Sequence, residues 1–213
     1  LLEISGNDNM QQIGALTVRA QSVIISGNGL LTDLCCLNVK GATSITVSAN
    51  YNLKSLNGLS VDSPVALTVY HNDLTTSLRT DGLTIPVTEL HLHDEMDLKG
   101  LAGVETSALT WLDLSGLPQL TSMAGVRVAK LQKLLLSDLN THVAQYSSPA
   151  AYGFDPSPMP QLRDIEFSDS NFASLAGLGQ LPENINSFSF VIATYLTSLR
   201  LDIVTCSYFA VLV

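Results

Sequence analysis

Positive charge is scarce in this sequence. Its 213 residues carry ten Lys and Arg against nineteen Asp and Glu, a formal net charge of −9, and the few cations form no run or stripe. Binding to nucleic acid or to an anionic membrane by phosphate neutralisation lacks its usual requirement, so no nucleic-acid partner is expected. Cysteine is almost absent. Cys35 and Cys36 are adjacent and Cys206 is distant, which gives neither a disulfide framework nor a CxxC metal spacing and leaves small apolar core residues as the expectation. No apolar run approaches the roughly 20 residues of a membrane helix, and Leu1-Leu2-Glu3-Ile4 shows no basic segment followed by an apolar stretch; no membrane insertion by this segment is expected. None of the asparagines opens an Asn-x-Ser/Thr sequon. Enzyme motifs are missing too: no GxSxG, HExxH, P-loop or GxGxxG stands in a suitable setting. No catalytic residue, metal or cofactor is therefore assigned.

What remains is 46% hydrophobic and only 14% charged, enough apolar residue for one globular core or a continuous repeat array. Low charge with many Ser, Thr and Asn fits an extracellular or cell-surface location better than a cytosolic one.

One register recurs about every 22 residues from end to end. Each unit opens with two apolar residues flanking a variable one: Leu2/Ile4, Val23/Ile25, Ile45/Val47, Leu67/Val69, Leu90/Leu92, Leu112/Leu114, Leu134/Leu136, Ile165/Phe167 and Phe188/Phe190. Period-two alternation is a short strand with one buried face. A second apolar cluster about nine residues later, such as Leu53, Leu56, Leu59 and Val61, returns the chain to the same core. The prediction is a right-handed β-solenoid of about nine turns, with one parallel sheet and mostly irregular return segments, stacked into a ribbon on the order of 40 Å long.

Two columns have a steric or polar reason. Ala15, Cys36, Gly58, Gly103, Gly125 and Gly177 share a slot where a tight return turn admits only a small side chain. Asn7, Asn28, Asn50 and Asn72 share another, where inward amides form a ladder between turns. Glu95, Leu117, Leu139, Ser170 and Ala193 follow in that slot, so the ladder is expected to stop at Asn72.

The segments ITVSANYNLKSLNGL from Ile45 and LDLSGLPQLTSMAGV from Leu112 resemble leucine-rich repeats, especially the receptor L-domain repeats. The resemblance covers nearly the whole chain, residues 1–213 as a single solenoid, and implies a piece of a longer protein, since the disulfide-bonded caps of extracellular members are missing. It implies fold strongly and function weakly, because such repeats serve adhesins, receptors, immune sensors and inhibitors.

Function is expected on the outward sheet columns. One reads Glu3, Ile24, Thr46, Thr68, His91, Asp113, Leu135, Glu166, Ser189; its neighbours read Ser5, Ser26, Ser48, Tyr70, His93, Ser115, Ser137, Ser168, Val191 and Leu1, Ser22, Ser44, Ala66, Glu89, Trp111, Lys133, Asp164, Ser187. After bland Ser and Thr, the face gathers Tyr70, Glu89, His91, His93, Trp111, Asp113, Lys133, Asp164 and Glu166. These are the expected ligand-binding residues, centred on the sole tryptophan, because aromatics concentrate contact energy; the competing reading has Trp111 lying over its sheet neighbours. His91-Leu-His93 with Glu89 and Asp113 is a conceivable metal or pH-sensitive cluster, but solvated surface histidines are the expectation. Carboxylates Asp113, Asp164 and Glu166 are similar to those of β-helix polysaccharide enzymes, yet the Leu-dominated composition argues against that class. A Pro-rich insertion, residues 141–160, delays the next strand by about nine residues, and its Tyr146, Tyr152 and Phe154 form either a second contact surface or a lid. The expected function is a non-catalytic recognition or adhesion module for a protein or glycan; the alternative is a structural surface component that self-associates through open solenoid ends.

Overall fold

The computed structural model describes residues 1–139, 152, 153, 159–168, 182, 184–191 and 205–212. The strands in chain order are β1 (Leu2–Ser5), β2 (Leu16–Arg19), β3 (Ser22–Ser26), β4 (Leu37–Lys40), β5 (Ser44–Ser48), β6 (Leu59–Val61) and β7 (Val65–Tyr70). They continue as β8 (Ile85–His93), β9 (Val104–Glu105), β10 (Trp111–Leu117), β11 (Lys133–Leu139), β12 (Asp164–Ser168), β13 (Asn184–Val191) and β14 (Thr205–Leu212). The main sheet runs β1-β3-β5-β7-β8-β10-β11-β12-β13-β14, and each neighbouring pair in it is parallel. The chain forms a parallel β-solenoid of about seven turns with a spacing of about 22 residues, slightly fewer than the nine expected, and no α-helix occurs among the described residues. All nine expected strands are present, and β14 adds a tenth to the sheet. Among the described residues no helix is long and apolar enough to cross a membrane.

The paired apolar residues do what their alternation predicts. Val23, Ile25, Ile45, Val47, Leu67, Val69, Leu90, Leu92, Leu112 and Leu114 are all fully buried in one continuous core. Each buried aliphatic side chain contributes about 1.5–3 kcal/mol relative to exposure. The return segments complete the core with Leu31, Leu34, Leu53, Leu56, Leu98, Leu120 and Met123. In the early turns they are more regular than expected: β2, β4 and β6 stack as a second parallel sheet, in the register Leu16↔Leu37↔Leu59 and Val18↔Val39↔Val61. The β-branched and aliphatic alternation that fills the core thus also suffices to pair three short strands. The second sheet ends where the buried guanidinium of Arg79 donates through Nη1 to the Leu59 carbonyl, supplying the donor that a fourth strand would have offered. Farther along, β9 pairs in parallel with the start of β8.

Each of the first seven turns bends at the end of its main strand through one residue of positive φ: Gly6 (62°), Gly27 (64°), Ala49 (53°), His71 (55°), Asp94 (52°), Gly116 (60°) and Asp138 (45°). The next residue is thereby turned into the solenoid, and it is the ladder residue. Asn28 Oδ1 accepts from the backbone N–H and Nδ2 of Asn7, at 3.1 and 2.9 Å; Asn50 does the same for Asn28, both at 3.1 Å, and Asn72 for Asn50, at 3.1 and 3.0 Å. The amides of Asn28, Asn50 and Asn72 also donate to the strand carbonyls of Ile4, Ile25 and Val47. The ladder does not stop at Asn72. Glu95, fully buried, accepts from the N–H and Nδ2 of Asn72 at 2.9 Å each and from the Leu74 N–H at 3.4 Å. A carboxylate accepts without donating, so it ends the chain of amides as a final rung. Burial pushes the Glu95 carboxyl above the ordinary range although Asn72 and Leu74 donate to it. In the next two turns Leu117 and Leu139 occupy the slot and are buried.

The small-residue slot also has a different cause from the one expected. Cys36 (φ 67°), Gly58 (84°), Gly103 (103°) and Gly125 (87°) all lie in the left-handed region, and in the first turn Gly14 (75°) takes that role beside Ala15. The demand is one of backbone conformation, and the side chain at this corner points to solvent. Cys35 and Cys36 are accordingly exposed free thiols rather than core residues, with their sulfurs 2.8 Å apart; Cys206 lies on β14, whose side chains fall outside the described residues. Only at Gly58 and Gly103 is space short as well, a Cβ there falling 2.5 Å from Cys35 Cα and from Arg79 Cβ respectively.

The insertion lengthens one repeat, since Lys133 and Asp164 are register partners. Of its aromatic residues, Tyr152 packs into the core at 1% exposure beside Met159, and its carbonyl accepts from the Met123 N–H at 2.6 Å. Tyr152 is thus a core residue rather than part of an exposed contact surface; Tyr146 and Phe154 lie outside the described residues.

Three outcomes follow. Asn50→Ala strands the Asn28 N–H and the Ile25 carbonyl inside the solenoid and is expected to cost about 2–4 kcal/mol, whereas Asn7→Ala, at the exposed end, costs under about 1 kcal/mol; urea midpoints measure both. Gly58→Ala drives a Cβ into the Cys35 backbone, while Gly14→Ala meets nothing within 4 Å and incurs only the left-handed penalty of about 1–2 kcal/mol; the urea midpoint of Gly58→Ala falls further. Asp81 receives the Arg79 guanidinium at 3.0 and 2.5 Å, and that contact first, with the Leu83 and Gly58 amides, holds its pKa down at about 2. Its stabilisation is complete above the unfolded carboxylate pKa and is lost as pH falls through about 2. Asp81→Asn is therefore less stable than the parent near neutrality, with a difference that closes towards pH 2 in acid-titrated urea melts.

Candidate functional site on the sheet face

The three outward columns pair in the expected register. In the middle one Glu3↔Ile24↔Thr46↔Thr68↔His91↔Asp113↔Leu135↔Glu166↔Ser189 run without a slip. Ala66↔Glu89↔Trp111↔Lys133↔Asp164↔Ser187 flank it on one side and Tyr70↔His93↔Ser115 on the other. Lateral strand spacing is about 4.8 Å, so side chains one strand apart in a column touch. The expected site residues separate into two adjoining groups that share Trp111.

The first group is Glu89, His91 and His93 of β8 with Asp113 of β10. His91 Nδ1 lies 3.5 Å from Asp113 Oδ2, and its Nε2 lies 3.4 Å from Glu89 Oε2. His93 Nε2 reaches the same Asp113 Oδ2 at 3.5 Å. Asp113 is 8% exposed, and its Oδ1 is buried with no hydrogen-bond partner. The His91 side chain is only 14% exposed, which corrects the reading of both histidines as solvated; His93 at 34% is the outer of the two. Burial opposes the imidazolium of His91, but the Asp113 and Glu89 carboxylates outweigh it and hold its pKa above the ordinary value. The ring of His91 meets the Trp111 indole edge-to-face, with centroids 4.5 Å apart.

The second group is a groove of about 220 Å³ between the side chains of β10, β11, β12 and β13, lined among others by Trp111, Lys133, Leu135, Asp164, Glu166 and Ser187. Trp111 is half-buried. The Lys133 ammonium stands 4.4 Å from its ring centroid, a cation–π contact worth about 0.5–1 kcal/mol at an exposed site. Trp111 thus lies against its sheet neighbours His91 and Lys133 and also forms a wall of the groove.

Tyr70, the register partner of His93, flanks the first group and meets the ring of His71 edge-to-face at 5.5 Å. Leu135 and Ser187 were on the outward columns but had not been singled out; their only signal in the sequence was position, since neither residue type suggests chemistry.

Comparison of the chain with known protein families, with curated proteins and with solved structures finds no match. The geometry of the sheet face is therefore the basis for a functional reading.

Proposed function

We propose that this chain is a non-catalytic recognition or adhesion module of the leucine-rich-repeat kind, working at a cell surface and holding a protein or glycan ligand on its sheet face. The observation that carries the reading is the groove beside Trp111. A half-buried indole, an ammonium, two carboxylates, a leucine and a hydroxyl converge there on rigid neighbouring strands. Such a surface offers apolar contact, both signs of charge and hydrogen bonding with little ordering cost, because the strands already fix the side chains.

The test is an array of glycans and surface proteins probed with the purified chain, alongside Trp111→Ala and Lys133→Ala, with light scattering on the same samples. Recognition predicts a ligand whose binding falls at least about 10-fold in Trp111→Ala, as for an aromatic hot spot. Oligomers that form with rising concentration and are indifferent to Trp111→Ala, with no ligand retained, would transfer the assignment to self-association.

A further inference from the structure

We propose that His91, His93 and Asp113 form a binding site for one divalent transition-metal ion of the zinc class on the outward face of the solenoid. Each side chain offers one donor atom, and the three atoms lie within 4.8 Å of one another. Two of the separations, His91 Nδ1 to Asp113 Oδ2 and His93 Nε2 to Asp113 Oδ2, are 3.5 Å. Donors placed tetrahedrally around zinc at about 2.0–2.1 Å stand about 3.3–3.4 Å apart, so small side-chain rotations bring the set to bonding geometry. Two imidazoles and one carboxylate are donors that suit zinc, copper, cobalt or nickel rather than calcium or magnesium, which require more oxygen ligands.

Three features set this cluster apart from a chance gathering of polar side chains. The first is Glu89: its carboxylate faces the ring nitrogen of His91 that is turned away from Asp113, the arrangement that fixes the tautomer of a metal-ligating histidine and raises its basicity. The second is Asp113, a carboxylate with a buried oxygen that no donor satisfies; such a group is costly unless a cation compensates it. The third is the backbone. His91 and His93 sit two apart on one strand and Asp113 is the direct register partner of His91, so all three project from adjacent, hydrogen-bonded strands with little freedom to separate. With His93 the most exposed ligand, remaining coordination positions open outward, beside the Trp111 groove. The metal site does not depend on that groove having a ligand, and it is assayed without one.

The sole tryptophan serves as the reporter, since its ring lies 4.5 Å from that of His91. Cys35, Cys36 and Cys206 are first replaced by Ser, because free thiols take the same metals. The chelator-treated protein is titrated with zinc chloride by calorimetry and, separately, with copper(II) while Trp111 emission is followed. One zinc per chain with micromolar or tighter affinity, and saturable quenching by copper, are the expected results. His93→Ala and Asp113→Asn each weaken zinc binding at least about 100-fold, Glu89→Gln weakens it about 10-fold, and His71→Ala, which removes the exposed histidine paired with Asp94 at 3.7 Å, leaves it unchanged. Circular dichroism and the urea midpoint of each variant establish that it is folded, and His93→Ala, at the exposed rim, is the decisive substitution should Asp113→Asn disturb the sheet. Absence of a saturable site, or zinc binding that survives His93→Ala undiminished or vanishes with His71→Ala, overturns the proposal.

Discussion

The architecture depends on one conformational requirement, met at each of the seven described corners: a residue at the end of the main strand, just past it in five turns and one short of its last residue in β10 and β11, must adopt a left-handed backbone. That single positive φ swings the following side chain from the solvent side of the sheet to its interior and starts the chain back across the core. Glycine meets it freely at Gly6, Gly27 and Gly116, while Ala49, His71, Asp94 and Asp138 meet it at a cost of about 1–2 kcal/mol each. The ladder rungs repay that cost, because the corner is also where a strand's hydrogen bonding is interrupted and backbone groups would otherwise be left dry. A side-chain amide is suited to this place: it donates to the strand carbonyl behind it and accepts from the rung before it.

The interior and the exterior change character together along the solenoid. Up to Asn72 the inner slot is asparagine and the outer columns are mostly Ser and Thr; at Glu95 the ladder closes, and the face that begins with β8 carries Glu89, His91 and His93. Leu117 and Leu139 then replace polar rungs with apolar packing, while the outward face holds Trp111, Asp113, Lys133, Asp164 and Glu166. Uniform turns thus provide a regular platform, and the irregular ones place chemistry on it. The side chains of the site owe their geometry to the parallel register, since one-to-one pairing leaves each of them a fixed distance from its column neighbours.

Much of this was legible in the sequence, because period-two alternation every 22 residues or so leaves few ways to arrange a chain. The columns that pair Glu89, Trp111 and Lys133, or His91 and Asp113, could be written out before any coordinates. Harder to read were features that depend on backbone angle rather than residue type. The corner column Gly6, Gly27, Ala49, His71, Asp94, Gly116, Asp138 has no common chemistry, and so it left no trace in the pattern. The small residues of its slot suggest a core position for Cys36, whereas the slot selects for a turn that faces water. Glu95 looked like the end of the ladder because a carboxylate differs from an amide in charge; as an acceptor it does the same task. The closeness of His91, His93 and Asp113 at a shared oxygen is a matter of side-chain rotation, which spacing alone does not reveal.

The ladder also has a direction, and this bears on how such a chain lengthens. A duplicated turn with an asparagine rung, inserted anywhere before Glu95, finds a donor pair on one side and an acceptor on the other, and joins without loss. Placed after Glu95, the same turn meets a carboxylate with no hydrogen to give and, beyond it, leucines. The solenoid is therefore extensible by simple copying on one side only, and any change in length arising in that way leaves the chemically distinctive face intact.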